Sequence, residues 1–158
     1  MSAPIIFKQN TATAPQVLAH LVACDDSFVP PLSTRVDCAA YAEKITSLAT
    51  CIEAWDGPVL VGLAALYCNR GADAFLSNLS VLPGYQQRGL GSALMQQCMK
   101  HALGLNIADL NIGVLTLEVD KDNHAAIDFY GKHGFSVIEK GAVWRMHRNV
   151  SRPQPRSR

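Results

Sequence analysis

The sequence predicts an α/β chain of the α+β type, with one mixed, mostly antiparallel sheet of about seven strands flanked by about four helices. Three observations carry this expectation. Residues 51–82 hold three consecutive apolar, strand-like runs separated by turn residues, the pattern of an antiparallel meander. On both sides of that block the hydrophobic spacing switches between helical and strand periods. The 158 residues are also 49% hydrophobic and only 17% charged, which is enough apolar surface for one core in a chain too short for two. The expectation is a single domain over residues 1–150 and a disordered Pro/Arg/Ser tail over 151–158.

In chain order, Ile5 to Phe7 reads as a short strand. A helix follows from Ala14 to Cys24, with Pro15 suited to its first turn and Val17, Leu18, Leu21 and Val22 at helical spacing. Pro30 and Pro31 interrupt the chain before a second helix, Asp37 to Ala49, capped by Asp37 and carrying Tyr41, Ile45 and Leu48 on one face. Cys51 to Trp55 and Val59 to Tyr67 are strands joined by the Asp56-Gly57 turn. A second turn at Asn69-Arg70-Gly71 leads to a third strand, Ala74 to Leu82. Beyond Pro83-Gly84 a helix runs from Gly91 to Leu103, with Leu94, Met95, Cys98 and Leu103 inward and Gly104 placed to end it. Ile112 to Val119 is a buried strand and Asn123 to His133 a helix stopped by Gly134. Phe135 to Lys140 and Val143 to Arg148 are the closing strands.

Composition excludes several function classes. The formal charge is +1, but Arg152, Arg156 and Arg158 lie in the tail; taking these three from 14 leaves 11 basic against 13 acidic residues, no footprint for a nucleic-acid binder. Cys24, Cys38, Cys51, Cys68 and Cys98 form no CxxC pair, so neither a zinc site nor a disulfide framework is expected. The first residues carry no basic segment leading into a long apolar run, and no stretch approaches a membrane span. The expected compartment is therefore the cytoplasm.

The segment that carries chemistry is Asn78 to Ser92, a strand leading through a glycine-rich loop into a helix. Backbone N–H groups at a helix start have no intrahelical acceptor and sit at the positive end of the helix dipole, and glycines let an anion approach them. The loop reads as a pyrophosphate cradle. It lacks the GK[ST] of a P-loop and the third glycine of a dinucleotide fingerprint. Glycines placed only for close helix packing are the competing explanation.

Gln86-Gln87-Arg88-Gly89-Leu90-Gly91, preceded by Leu79-x-Val81 and followed by the Ser92 helix, resembles the Arg/Gln-x-x-Gly-x-Gly/Ala signature of the GNAT superfamily of acyl-CoA-dependent N-acyltransferases. Leu117-Glu118-Val119 and Asn123-x-x-Ala126-x-x-Phe129-Tyr130-x-Lys132-x-Gly134-Phe135 resemble its second hallmark. The resemblance covers residues 50–148, and the first two helices by their order alone. It implies the GNAT fold and acetyl-CoA as co-substrate, with no metal. The backbone of Gln86, Gln87, Arg88, Gly89, Leu90, Gly91 and Ser92 would hold the pyrophosphate, Val81 would pair with the pantetheine arm, and the Leu79 N–H would face the thioester carbonyl. Asn123 would bind the pantetheine or a later part of the cofactor. Tyr130 would lie beside the sulfur as general acid, and Glu118 would match the base of ribosomal-protein N-terminal acetyltransferases in this superfamily.

These assignments have structural rivals: Glu118 as an outward-facing strand residue, Tyr130 as core, and Asn123 as a helix cap. Glu53 is expected on a solvated face, Cys98 in the core, and His20, His101, His124, His133 and His147 at surfaces or helix ends. On the acceptor side, Asp25, Asp26, Asp37 and Glu43 suit a cationic amine, while Ser33, Arg35 and Tyr41 suit an anionic group; solvated helix-end charges account for them equally. The expected acceptor is a small-molecule primary amine such as an amino acid, amino sugar or polyamine. An N-terminal peptide is the nearest alternative, and a non-catalytic acyl-CoA-binding module the alternative of another class. Strand 143–147 could serve a homodimer through edge pairing, and an intramolecular core accounts for Trp144 as well.

Overall fold

The computed structural model describes residues 4–107 and 112–150. The tail expected to be disordered, 151–158, lies outside them. The order is β1 (Ile6–Gln9), α1 (Ala14–Cys24), α2 (Cys38–Leu48), β2 (Thr50–Asp56), β3 (Val59–Arg70), β4 (Asp73–Val81), α3 (Leu90–Ile107), β5 (Val114–Asp120), α4 (His124–Lys132), β6 (Ser136–Glu139) and β7 (Val143–Asn149), with short 3-10 turns between α1 and α2 and before α3. The seven strands form one sheet in the order β1-β2-β3-β4-β5-β7-β6; every pairing is antiparallel except β4 with β5.

Local chemistry sets the helix starts. Thr13 and Gln16 exchange the two hydrogen bonds of a capping box at α1, and the Asp37 carboxylate accepts from the Ala39 and Ala40 amides at α2. Asn123 caps α4 through the Ala126 amide. Gly57 and Gly71 take left-handed backbones at the two meander turns.

Two hydrophobic clusters cover opposite faces of the sheet. One gathers Leu94, Met95, Cys98 and Ala102 of α3 with Ile52, Leu66, Leu76, Leu115 and Leu117 of the sheet, and Phe129 and Tyr130 of α4 pack against it. The other joins Val17 and Leu21 of α1 and Ala42 and Ile45 of α2 to Cys51, Trp55, Leu63 and Ala65. Helix contacts on both faces leave the sheet nearly continuously apolar, so strand alternation is weak in β3.

Several expectations require correction. The inward face of α1 is Val17, His20, Leu21 and Cys24, whereas Val22 is exposed. In α2, Leu48 is exposed and Ala42 is buried with Ile45. Helix α3 continues through Gly104 to Ile107, because an exposed glycine with room around it weakens a helix without ending it. Strand β7 is interior, flanked by β5 and β6, so residues 143–147 offer no sheet edge.

Glu53 is the largest departure. It is fully buried, and its carboxylate accepts from the Thr11 amide (2.9 Å), the Ala12 amide (3.0 Å), the Thr11 hydroxyl and the Trp55 indole N–H (3.0 Å). Cys51, Glu53 and Trp55 share one strand face, and three of the four donors that satisfy Glu53 arrive from a loop about 40 residues earlier in the chain. This carboxylate ties β1 and the entry to α1 onto β2.

Candidate active site

The site begins where a strand pairing stops. β4 pairs with β5 only from Asp73↔Val114 to Leu76↔Leu117, while β5 continues along β7 as far as Asp120↔Val143. At the same point the register of β4 against β3 slips: Leu66 faces Leu76 and Ala65 faces Asn78, so Ser77 is the extra residue of a β-bulge. The bulge turns β4 away from β5. A gap results, with Ser77 to Val81 on one lip and Glu118 to Asp120 on the other. From α2, the Tyr41 hydroxyl reaches the Ser77 carbonyl (3.0 Å) and hydroxyl (2.7 Å) and holds the bulge.

Beyond the bulge, antiparallel alternation fixes the backbone directions. The Leu82 amide donates to Val61 O at 2.8 Å, so Asn78, Ser80 and Leu82 turn their peptide groups towards β3. Those of Leu79 and Val81 therefore turn towards the gap. The side chains of Leu79 and Val81 pack on the α3 face, whereas Asn78 and Ser80 are on the α1 face. Val81 O accepts from Gln86 Nε2 (3.1 Å), which also meets Ser27 Oγ (3.2 Å), so Gln86 braces the loop with its side chain.

At the mouth of the gap the chain turns into α3. Gln87 (φ 63°) and Gly89 (φ 80°) both adopt left-handed backbones, which aim successive N–H groups into one concavity. The Ala93 amide bonds Gly89 O, leaving the amides of Leu90, Gly91 and Ser92 without intrahelical acceptors at the positive end of an 18-residue helix. Gln87, Arg88 and Gly89 are exposed, and the Arg88 guanidinium lies over the Tyr85 ring at 5.2 Å. A Cβ on Gly91 would meet the Phe129 ring at 3.4 Å, an ordinary van der Waals contact, so the packing of α4 on α3 does not by itself require glycine there. Gly89 is called for by its left-handed backbone, and close helix packing explains neither glycine.

Helix α4 brings Tyr130 to the same side. Its ring stacks edge-on with Phe129 (5.5 Å) and Phe135 (5.7 Å), and burial, with Cys98 nearby, pushes its phenol well above the ordinary range. Tyr130 is thus a persistent O–H donor. Cys98 is core, its thiol pushed up to about 12 by burial. Glu118 is exposed on the opposite face, across the ladder from Arg145, whose guanidinium pairs with Glu139 at 3.4 Å. Asn123 stands as the cap of α4.

Three groups escaped the sequence reading. His133, at the C-terminus of α4, meets Ser92 Oγ at 3.0 Å, and its carbonyl accepts from Arg148 Nη1 at 2.7 Å, so α3 and α4 are latched beside the cradle. His20, expected at a surface or a helix end, is buried within α1 and bonded to Ser80. Its spacing with Val17, Leu21 and Cys24 was the available signal, a histidine within an apolar helix face. The third, Ser77, left only a slip in the polar alternation of Ser77, Asn78 and Ser80. Of the residues expected to meet the acceptor, Asp25 is committed to the Ser33 amide (2.8 Å) and hydroxyl (2.7 Å), bonds that also lower its carboxyl pKa, and Asp37 to its cap; both are loop-structure residues.

This geometry, a parallel pair splayed at a bulge with a concavity of unpaired N–H groups at its mouth, agrees with the comparisons. Residues 17–135 match the acetyltransferase (GNAT) family. The chain belongs to that family. An uncharacterized N-acetyltransferase of Mycobacterium bovis, and one of Mycobacterium tuberculosis, are each 31% identical over 123 residues, spanning 73% of this chain and 75% of theirs. Among solved structures, Ard1 from Thermoplasma volcanium superposes with a TM-score of 0.74 at 18% identity, over 95% of this chain and 100% of that one. The ribosomal-protein-alanine N-acetyltransferase of Escherichia coli gives 0.73 at 20% identity over 96% and 97%. The PaiA N-acetyltransferase of Thermoplasma acidophilum, in complex with coenzyme A, gives 0.68 at 16% over 93% and 99%. At those identities the structures show the shared GNAT fold. The chain is thus an N-acetyltransferase of a family that uses acetyl-CoA and acts on amines. No helix among the described residues is long and apolar enough to cross a membrane, and none of their His, Cys, Asp and Glu side chains gather in threes as metal ligands would.

Proposed function

We propose that the protein transfers an acetyl group from acetyl-CoA to a small-molecule primary amine by direct attack of the amine on the thioester. The observation that carries this is the gap between β4 and β5, with the cradle at its mouth, the Leu79 peptide group on one lip, and Tyr130 and Glu118 on opposite faces of the sheet beside it. The residues fit the cofactor. The amides of Gln87 to Ser92 receive the pyrophosphate, Val81 N–H pairs with the pantetheine arm, and Asn123 borders it.

An ammonium has no lone pair, so an amine with a pKa of about 10 must first lose a proton, and Glu118 accepts it directly or through water. The amine nitrogen then bonds the acetyl carbon. Negative charge develops on the carbonyl oxygen, where the Leu79 N–H stabilises it. The C–S bond breaks with its electron pair leaving on sulfur. Because a buried phenol is far less acidic than a thiol (about 8.5), Tyr130 acts chiefly as a hydrogen-bond donor to that sulfur; the first proton taken by Glu118 passes to solvent, and the second, shed by the nitrogen as it becomes an amide, ends on the thiolate.

The small-molecule acceptor is favoured by the loop between α1 and α2, whose polar groups are spent internally: Ser33 on Asp25, and the Thr34 hydroxyl on Pro31 O at 2.6 Å. Few remain to line a peptide. Glu118 in Leu117-Glu118-Val119 favours a second reading, an N-terminal peptide acceptor. Thiol release from acetyl-CoA, measured with one pool of small amines (L-lysine, D-glucosamine, spermidine) and one of short peptides with varied N-termini, separates them. Turnover with the small amines alone is expected. Turnover with peptides alone would install the second reading, and acetyl-CoA binding without turnover of either would mark a binding module.

A further inference from the structure

A buried polar chain runs from beneath α1 to the lip of the gap, and its two ends are main-chain carbonyls, which only accept. At one end Asn78 Nδ2 donates to Leu63 O (3.3 Å) and to Ser80 Oγ (2.9 Å). Ser80 Oγ lies 2.8 Å from His20 Nε2, and His20 Nδ1 lies 2.9 Å from Leu60 O, with Cys24 Sγ 3.6 Å from Nε2. The carbonyls dictate every proton in between. Leu60 O requires the hydrogen on Nδ1, so a neutral ring offers Nε2 as acceptor and Ser80 donates to it. Ser80 oxygen then accepts from Asn78, and Leu63 O likewise demands the amide nitrogen. Burial lowers the His20 pKa, in keeping with a neutral ring.

The consequence is an oriented amide. Asn78 turns its nitrogen into the network, and its Oδ1 has no hydrogen-bonding partner among the described residues, although the residue keeps only 6% exposure. Asn78 immediately precedes Leu79, on the face of the sheet that carries Glu118, just past the point where β4 leaves β5.

We infer that the Asn78 side-chain carbonyl receives an N–H of the acceptor amine, and that His20 and Ser80 are positioning residues that hold it ready. The inference rests on the acetyl transfer proposed above. A neutral primary amine has two N–H bonds besides its lone pair. One meets Asn78 Oδ1 and the other is directed to Glu118 while the lone pair faces the thioester carbon; a secondary amine can satisfy only one of the two. Asn78 takes no proton and adds no atom to the product.

The test is acetylation kinetics with L-lysine, D-glucosamine and spermidine, beside acetyl-CoA affinity by calorimetry. Asn78→Ala is expected to lower kcat/KM for the amine by about 10- to 100-fold with acetyl-CoA affinity unchanged. His20→Leu should give a loss of the same kind. His20→Gln, whose amide can donate to Leu60 O and accept from Ser80, should restore most of it. Ring nitrogen-15 NMR provides a readout that needs no acceptor: the wild type should show neutral His20 with hydrogen on Nδ1, and Asn78→Asp, which reverses the chain, should protonate the ring. A wild type that acetylates amines beside an equally active, acetyl-CoA-binding Asn78→Ala would overturn the inference alone, as would hydrogen on Nε2 or a His20→Gln no better than His20→Leu. A wild type that binds acetyl-CoA and acetylates neither pool would remove the functional reading, and this inference with it.

Discussion

The Tyr41 hydroxyl lies 2.7 Å from the Ser77 hydroxyl and 3.0 Å from its carbonyl, so helix α2 clamps the one extra residue that splits the sheet. Because the bulge opens the gap, Tyr41→Phe should loosen it. The expected loss is about 1 kcal/mol, or about 2–4 °C in Tm for a chain of this size, together with a fall in kcat. Thermal denaturation and acetyl transfer measured on the same preparation check this; full stability with reduced turnover would place the effect in the substrate contacts instead.

Gly91→Asp puts a carboxylate where the unpaired amides converge. An acid in a first helical turn favours the helix, and a Cβ there is in ordinary contact with Phe129, so the fold should survive while coenzyme A binding is lost. Calorimetric titration of coenzyme A reads the outcome, and an unchanged affinity would refute the cradle.

Removal of the phenolic O–H tests the donor. Tyr130→Phe keeps both ring contacts and should cut kcat by about 10- to 1000-fold with little change in acetyl-CoA affinity. Glu118→Gln should slow transfer most at low pH, where the amine arrives as ammonium. An unaltered pH profile would assign the proton to a water chain.

Burial lowers the pKa of His20, and those of His101 and His133, below the ordinary value of about 6.5. The unfolded chain then binds more protons than the native one, so stability rises with pH. Their contribution is fully present above about pH 6.5 and is lost as pH falls towards the depressed native values. Urea midpoints between pH 5 and 8 should fall on the acid side, and His20→Gln should flatten the slope, whereas a midpoint independent of pH would deny the buried neutral ring.

Glu53→Ala leaves the Thr11 and Ala12 amides and the Trp55 indole without their acceptor. The expected cost is about 3 kcal/mol, seen as a lower urea midpoint at constant m-value. A loss under 1 kcal/mol would mean that water replaces the carboxylate.

Much of this protein was legible locally. Strand and helix order, the caps Asp37 and Asn123, and the turns at Gly57 and Gly71 depend on neighbours a few residues apart, and so does the glycine-containing loop before α3, built from one continuous segment. By itself, then, the sequence determined the element order, the family resemblance and the loop that precedes α3. Tertiary structure alone decided what polar residues within apolar elements do. Glu53 looked solvated because three of its four donors are about 40 residues away, and His20 looked incidental because Ser80 lies 60 residues on. Strand β7 looked like an edge because β6, which follows α4, covers its far side. The bulge at Ser77 is a property of three strands together, and it creates the gap. Local propensity acts over a turn or two of chain, whereas a buried hydrogen bond is satisfied by whichever group the fold brings within reach.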